Sequence, residues 1–286
     1  MPLESIDVLM RAAQSKGYAI GYFESWNLES LQGVIDAAEA TRSPVIVGFN
    51  GEFLAQRRGA IPEELAVYGA MGLAVASGAR VPCGFIFNEC PKDDWVERAI
   101  SSGFNLVMLA DPEAPQLAFQ QRVKRLADLA HSNNVAVEAD LERDDEDAVS
   151  YAKSAAAFVA STGIDLLAVS VGNEEIKLHG RAPLDLQRLE EVHKRVKIPF
   201  VLHGGTGIED ASLKEALRLG VRKVNFGTYM KQNCLQALRR ALANTEPNPH
   251  ALLGDGSSTD SLVVGRTTVR DSVLERIDIL GCCGQA

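Results

Sequence analysis

The sequence predicts a (β/α)8 (TIM) barrel, on three observations. Eight short apolar runs recur, each followed by a polar or glycine-containing turn and then an amphipathic helical stretch. The runs are continuously apolar rather than alternating, as parallel strands covered on both faces require. No Pro/Ser-rich linker or shift of composition separates the units, so the 286 residues read as one domain of a size that barrels routinely reach. The alternative is a doubly wound open sheet. Such a sheet would carry G-x-G-x-x-G after its first strand, where this chain reads GYFESWN.

Taken in order, a short helix at about 4–16 precedes a barrel spanning about 17–245. The strands are YAIGYF (18–23), PVIVGF (44–49), VPCGFIF (81–87), FNLVML (104–109), VAVEA (135–139), DLLAVSV (165–171), PFVLH (199–203) and KVNFG (223–227). Crossover helices are read at 28–40, 63–78, 116–131, 147–161, 184–196, 211–220 and 230–243, with Trp95 in a further helix after strand 3. Residues from about 246 to 286 form a C-terminal arm, a loop and one more helix, expected to cover the barrel or to contact another subunit.

Charge and composition narrow the function. With 29 Lys+Arg against 38 Asp+Glu and a net charge of −9, the chain lacks the concentrated basic face that a nucleic-acid partner needs, so a small molecule is the expected partner. The N-terminal segment carries acids early and has no sustained apolar core, and no stretch approaches the ~20 apolar residues of a membrane span; no membrane partner and a cytoplasmic location are expected. Five cysteines (Cys83, Cys90, Cys234, Cys282, Cys283) without C-x-x-C spacing offer no zinc-finger or redox framework.

In barrel enzymes the chemistry sits where the carboxyl ends of the strands meet the βα loops. Here those positions are polar: Glu24, Ser25, Trp26 and Asn27 after strand 1; Asn50 and Glu52 after strand 2; Asn88, Glu89 and Cys90 after strand 3; Asp111 after strand 4; Glu138 and Asp140 on strand 5; Asn173, Glu174 and Glu175 after strand 6; His203 after strand 7; Asn225 and Thr228 about strand 8. Carboxylates converging on one mouth repel unless something cationic neutralises them, and a divalent cation is the economical answer. Glu89, Glu175 and His203 supply one imidazole and two carboxylates, a set suiting Mg²⁺, Mn²⁺ or Zn²⁺. Two glycine turns, HGGTG (203–207) and NFGT (225–228), each open a helix after strands 7 and 8, where barrels often bind phosphate on free backbone N–H groups. His179 and Lys177, after strand 6, could reach an anionic group. Trp26 is read as a pocket wall, while His131, His193, His250 and Trp95 are read as surface or packing residues.

The wording of SPVIVGF (43–49), VPCGFIF through GFNLVML, VEADL (137–141), TGIDLLAVSVGN (162–173), VLHGGTGI (201–208) and KVNFGT (223–228) resembles the class II, metal-dependent ketose-bisphosphate aldolases over about 1–245. That resemblance implies three metal-binding histidines, at strands 3, 6 and 7. His203 is retained, whereas Glu89 and Glu175 stand where the family has the other two. The family's acid/base aspartate falls on Asn88, an amide that does not titrate, so standard bisphosphate cleavage is in doubt. Ile176 and His179 replace a glycine and a lysine of the phosphate loop, and Gly227 replaces an aspartate. The implied function is a divergent metal-dependent lyase acting on a ketose phosphate or related hydroxy-keto acid through a metal-stabilised enediolate, with Glu138, Glu24 or Glu174 taking the missing acid/base role. An isomerase or epimerase using the same enediolate, or a non-catalytic sugar-phosphate-binding barrel, are the alternatives. Asn27, His179, Gly204, Gly205, Thr206, Asn225, Gly227 and Thr228 are the expected substrate and phosphate contacts, and a homo-oligomer is the family expectation.

Overall fold

The computed structural model describes residues 3–55, 64–141, 147–173, 180–243 and 247–286. Eight parallel strands, β1 (Ile20–Ser25), β2 (Val45–Asn50), β3 (Cys83–Cys90), β4 (Leu106–Leu109), β5 (Ala136–Leu141), β6 (Leu166–Val169), β7 (Phe200–Leu202) and β8 (Val221–Phe226), close into a barrel in chain order. The helices are α1 (Ile6–Lys16), α2 (Leu28–Thr41), α3 (Gly51–Ala55), α4 (Leu65–Gly78), α5 (Asp93–Ile100), α6 (Gln116–His131), α7 (Ala148–Thr162), α8 (Leu186–Arg195), α9 (Asp210–Arg218), α10 (Thr228–Leu242) and α11 (Ser261–Ile277). The expected architecture is therefore the observed one. Among the described residues no helix is long and apolar enough to cross a membrane.

Burial follows from the continuous apolar runs: every residue of β1, β2, β4, β6 and β7 is buried, because one face meets the barrel interior and the other the helix ring. Aromatic rings fill the layer between β2, β3 and their helices. Phe85 stacks on Phe104 at 4.1 Å and meets Phe49 edge-on at 6.2 Å, and Phe49 meets Tyr68 edge-on at 5.0 Å. Phe85→Ala should lower unfolding free energy by about 3–5 kcal/mol, the range for truncating a buried aromatic, read by urea denaturation. A loss below about 1 kcal/mol would mean that this layer repacks without a cavity.

Two elements depart from the sequence reading. α3 has only five residues, too few to show a helical period, and β3 runs three residues past the apolar run because Asn88 and Glu89 continue the sheet as polar residues. The C-terminal arm covers the barrel wall: α11 packs on α2 and α10, with Arg266 donating to Asp36 at 2.6 and 2.7 Å. Gly33 permits that approach, since a Cβ there would lie 2.5 Å from the Arg266 carbonyl oxygen. Asp260 caps α11, accepting from the backbone N–H of Leu262, Gly254 and Gly256.

Candidate active site

A cavity of about 300 Å³ opens at the carboxyl ends of the strands, walled by residues of β1, β2, β3 and β8, by the turn after β7, and by α3 and α10. Its floor is acidic and its acids are held. Strand periodicity would put Asn88 and Glu89 on opposite faces. Instead the register of β3 with β4 shifts between Phe87 and Cys90, and Glu89 adopts a left-handed backbone (φ 53°) that is rare outside glycine. Both side chains consequently line the cavity.

Glu89 is gripped from three sides. Asn50 Nδ2 donates to its Oε2 at 2.5 Å, Asn88 Nδ2 donates to its Oε1 at 2.6 Å, and His203 Nδ1 lies 2.9 Å from Oε1. Burial alone would raise its pKa, but the His203 and Asn88 hydrogen bonds and the Lys223 charge outweigh burial and hold the carboxyl below its ordinary value. The other imidazole nitrogen, Nε2, lies 3.0 Å from Oε1 of Glu138. Glu138 is fully buried on β5, and the Lys223 ammonium lies 2.8 Å from its Oε2. Against burial, the Lys223 charge and the His203 hydrogen bond keep Glu138 below the ordinary carboxylate range.

Higher in the mouth, Glu24 pairs with Lys231, whose ammonium also sits 4.3 Å from the centre of the Phe53 ring. Burial raises the Glu24 carboxyl above its ordinary value, with Lys231 pulling the other way. Gly227 is what gives Glu24 its place, because a Cβ there would lie 2.3 Å from Glu24 Oε2. Three buried polar atoms of residues lining this cavity, Tyr22 Oη, Asn88 Oδ1 and Asn225 Nδ2, have no hydrogen-bond partner among the described residues. Buried polar atoms are nearly always satisfied, so such a group around one cavity marks where ligand or water completes the bonding.

The model for class II fructose-bisphosphate aldolases matches residues 4–285. The chain belongs to that family. A probable fructose-bisphosphate aldolase of Bacillus subtilis (strain 168) is 31% identical over 303 residues, covering 100% of both chains. The crystal structure of the YdjI aldolase from Escherichia coli K12 superposes with a TM-score of 0.84 at 30% identity, covering 99% of each chain. A fructose-bisphosphate aldolase structure from Campylobacter jejuni, 21% identical with a TM-score of 0.80 over 99% of this chain and 97% of that one, shares the fold.

Within this class II member, the sequence candidates divide clearly. Glu89, His203, Asn88, Gly204, Thr206, Asn225, Gly227 and Thr228 line one cavity, together with Glu24 and Asn50. Glu174, Glu175 and His179 lie outside the described residues. Among the described residues no three His, Cys, Asp or Glu side chains form a group able to hold a metal ion.

Three candidates take other positions. Asn27 is drawn away from the cavity because it caps α2, its side chain accepting from Ser30 N at 2.9 Å in a capping box. Glu138 lies beneath the cavity floor, clamped between His203 and Lys223, so a general-acid role at the substrate does not fit it. Gly205 is buried below its turn, where a Cβ would lie 2.8 Å from the Asn225 carbonyl oxygen. Asp111 also leaves the mouth, paired with Arg122 of α6, and Trp26 walls a small side cavity that adjoins the main one. His131 bonds Asp165 at 2.9 Å, His193 packs edge-on against Phe200, and Trp95 stacks on Phe87, as packing and surface roles require.

Two lysines escaped the sequence reading. Lys223 was visible as a charge in the strand VRKVNF, two residues before Asn225 and hence on the same face. Lys231 carries no such signal, since a lysine in the first turn of an amphipathic helix is ordinary.

Proposed function

We propose that this class II family member is a metal-dependent lyase that cleaves a ketose phosphate or a related hydroxy-keto acid. The observation that carries the reading is the Glu89–His203 contact in the wall of a cavity also bordered by two glycine turns. A carboxylate oxygen and an imidazole nitrogen 2.9 Å apart put side by side two donors of the kinds that would hold a divalent ion. Glu89 and His203 would hold the ion, with Glu175 as the expected third ligand. A divalent ion so held polarises carbonyl and hydroxyl oxygens of a substrate.

The chain's own residues supply the rest. Glu138 accepts the proton on Nε2 of His203, which fixes the ring and turns Nδ1 toward Glu89. Asn88 offers an acceptor, Oδ1, to a substrate hydroxyl but cannot take its proton. Glu24, buried at the mouth beside Lys231, is the carboxylate that takes this proton, since its raised pKa brings it toward the working range of a general base. The turn at Gly204–Thr206 and the start of α10 at Gly227–Thr228 receive the anionic end, and Gly204 takes the left-handed backbone (φ 64°) that glycine tolerates without strain. The partner is thus a small phosphorylated or acidic sugar.

The test is release of an aldehyde from a panel of ketose phosphates and phosphorylated hydroxy-keto acids by Mn²⁺-, Mg²⁺- or Zn²⁺-loaded protein, detected by coupled reduction. Cleavage that requires the ion is expected. Stoichiometric metal with no aldehyde from any substrate, and deuterium from solvent entering one of them, would overturn the lyase reading.

A further inference from the structure

Lys223 is completely buried beneath the cavity yet reaches two residues of its wall, Asn225 and Tyr22. Its Nζ donates to Asn225 Oδ1 at 2.7 Å, lies 2.8 Å from Glu138 Oε2, and sits 5.1 Å from the centre of the Tyr22 ring. Strand pairing explains the convergence: Lys223 and Asn225 share the inward face of β8, and Tyr22 of β1 is in register with Asn225. An amide whose oxygen is engaged from below has its nitrogen left for the other side, and Asn225 Nδ2 is buried without a partner among the described residues. Glu138 in turn carries the Lys223 contact to His203.

We propose that Lys223 is the positioning residue of the whole site. By holding Asn225 Oδ1 it presents Nδ2 to an anionic ligand oxygen at the glycine turns, and by its 2.8 Å contact to Glu138 Oε2 it fixes that carboxylate against the His203 ring. Lys223 touches no substrate. One buried ammonium aligns two functions that lie on different strands, and a merely structural lysine would affect neither separately. The metal arm of this inference rests on the proposed function; the anion arm does not.

Two probes read the arms apart, Mn²⁺ and inorganic phosphate, each titrated into wild type, Lys223→Met and Lys223→Gln by calorimetry, with circular dichroism to verify the fold. Lys223→Gln removes the charge but keeps an N–H donor for Asn225 Oδ1. The expected result is a Mn²⁺ affinity lowered up to about 10-fold in both variants, because Lys223 reaches His203 only through Glu138, and loss of that outer partner itself would cost about 10–100-fold. Phosphate affinity should fall about 10-fold in Lys223→Met and be restored to within about 3-fold of wild type in Lys223→Gln, as one hydrogen bond's worth of binding predicts.

Should Lys223→Met not fold, Asn225→Asp gives the phosphate arm: it preserves the contact to Lys223, removes the donor, and should lose about as much phosphate affinity. Wild-type protein that binds phosphate but no Mn²⁺ would overturn the metal reading and leave the Asn225 arm standing or falling on the phosphate data. Phosphate affinity equal in wild type, Lys223→Met and Asn225→Asp, or lost equally in Lys223→Met and Lys223→Gln, overturns the proposed role.

Discussion

His203→Ala is expected to reduce Mn²⁺ affinity by well over 100-fold and to abolish metal-dependent turnover. The magnitude follows from two losses at once. Among the described residues the imidazole is the one nitrogen beside Glu89 that can ligate an ion, the other two being amide donors, and loss of even an outer partner of a ligating histidine costs about 10–100-fold. The variant also leaves the half-buried Glu89 and the fully buried Glu138 without the ring that separates them. Removing one partner of a buried charged cluster is costlier than never having built it, so a lower melting temperature accompanies the lost affinity. Because each ring nitrogen faces a carboxylate, taking up an ion at Nδ1 requires that nitrogen to be without its proton, and apparent Mn²⁺ affinity in wild type should climb as pH rises. Electron paramagnetic resonance of free Mn²⁺ across a pH series measures both effects. Undiminished affinity in His203→Ala would place the ion elsewhere and remove the basis of the metal-dependent reading.

The scaffold was legible in the sequence because its signal is repeated eight times: continuous apolar runs at near-regular spacing leave little freedom once helices separate them. The site was legible only where it coincides with strand ends. Glu89 and His203 stand at the ends of β3 and β7, which oppose each other across the barrel mouth, so the strand order alone aims both positions at one opening while their contact depends on side-chain direction. What the pattern hides is local backbone geometry and choice of partner. Alternation assigns Asn88 and Glu89 to opposite faces, and the bulge with a left-handed Glu89 reverses that assignment. Asn27 looked like a mouth residue by position, but a short polar side chain one residue ahead of a helix satisfies its own backbone first. Lys223 was read as part of a strand, since a buried ammonium becomes intelligible only when the carboxylate and amide opposing it from other residues are known.

Glu24→Gln is expected to lower kcat for aldehyde release by about 10²–10⁴-fold, the usual contribution of a positioned acid/base, with Mn²⁺ affinity changed by less than about 3-fold because Glu24 does not touch the Glu89–His203 pair. The reasoning starts from an exclusion. Among the described residues, Asn88 lines the cavity but does not titrate, and Glu138 titrates but lies beneath the floor, which leaves Glu24 as the buried carboxylate at the mouth whose pKa is raised. The direction of that shift fixes the pH profile. Burial favours the protonated form, so wild-type kcat should rise with pH through a value above the ordinary 4.5, and this acid limb should vanish in the Gln variant. The same shift sets a stability window. A carboxyl whose folded pKa is raised contributes stability that is complete below 4.5 and lost as pH climbs through the folded value, so the variant should lack that part of the pH dependence in thermal melts. Gly227→Ala separates the chemistry from the position: the new methyl must displace the carboxylate, and it should impair kcat although every titratable group remains. A Glu24→Gln enzyme that retains both kcat and the acid limb would assign the proton to another group.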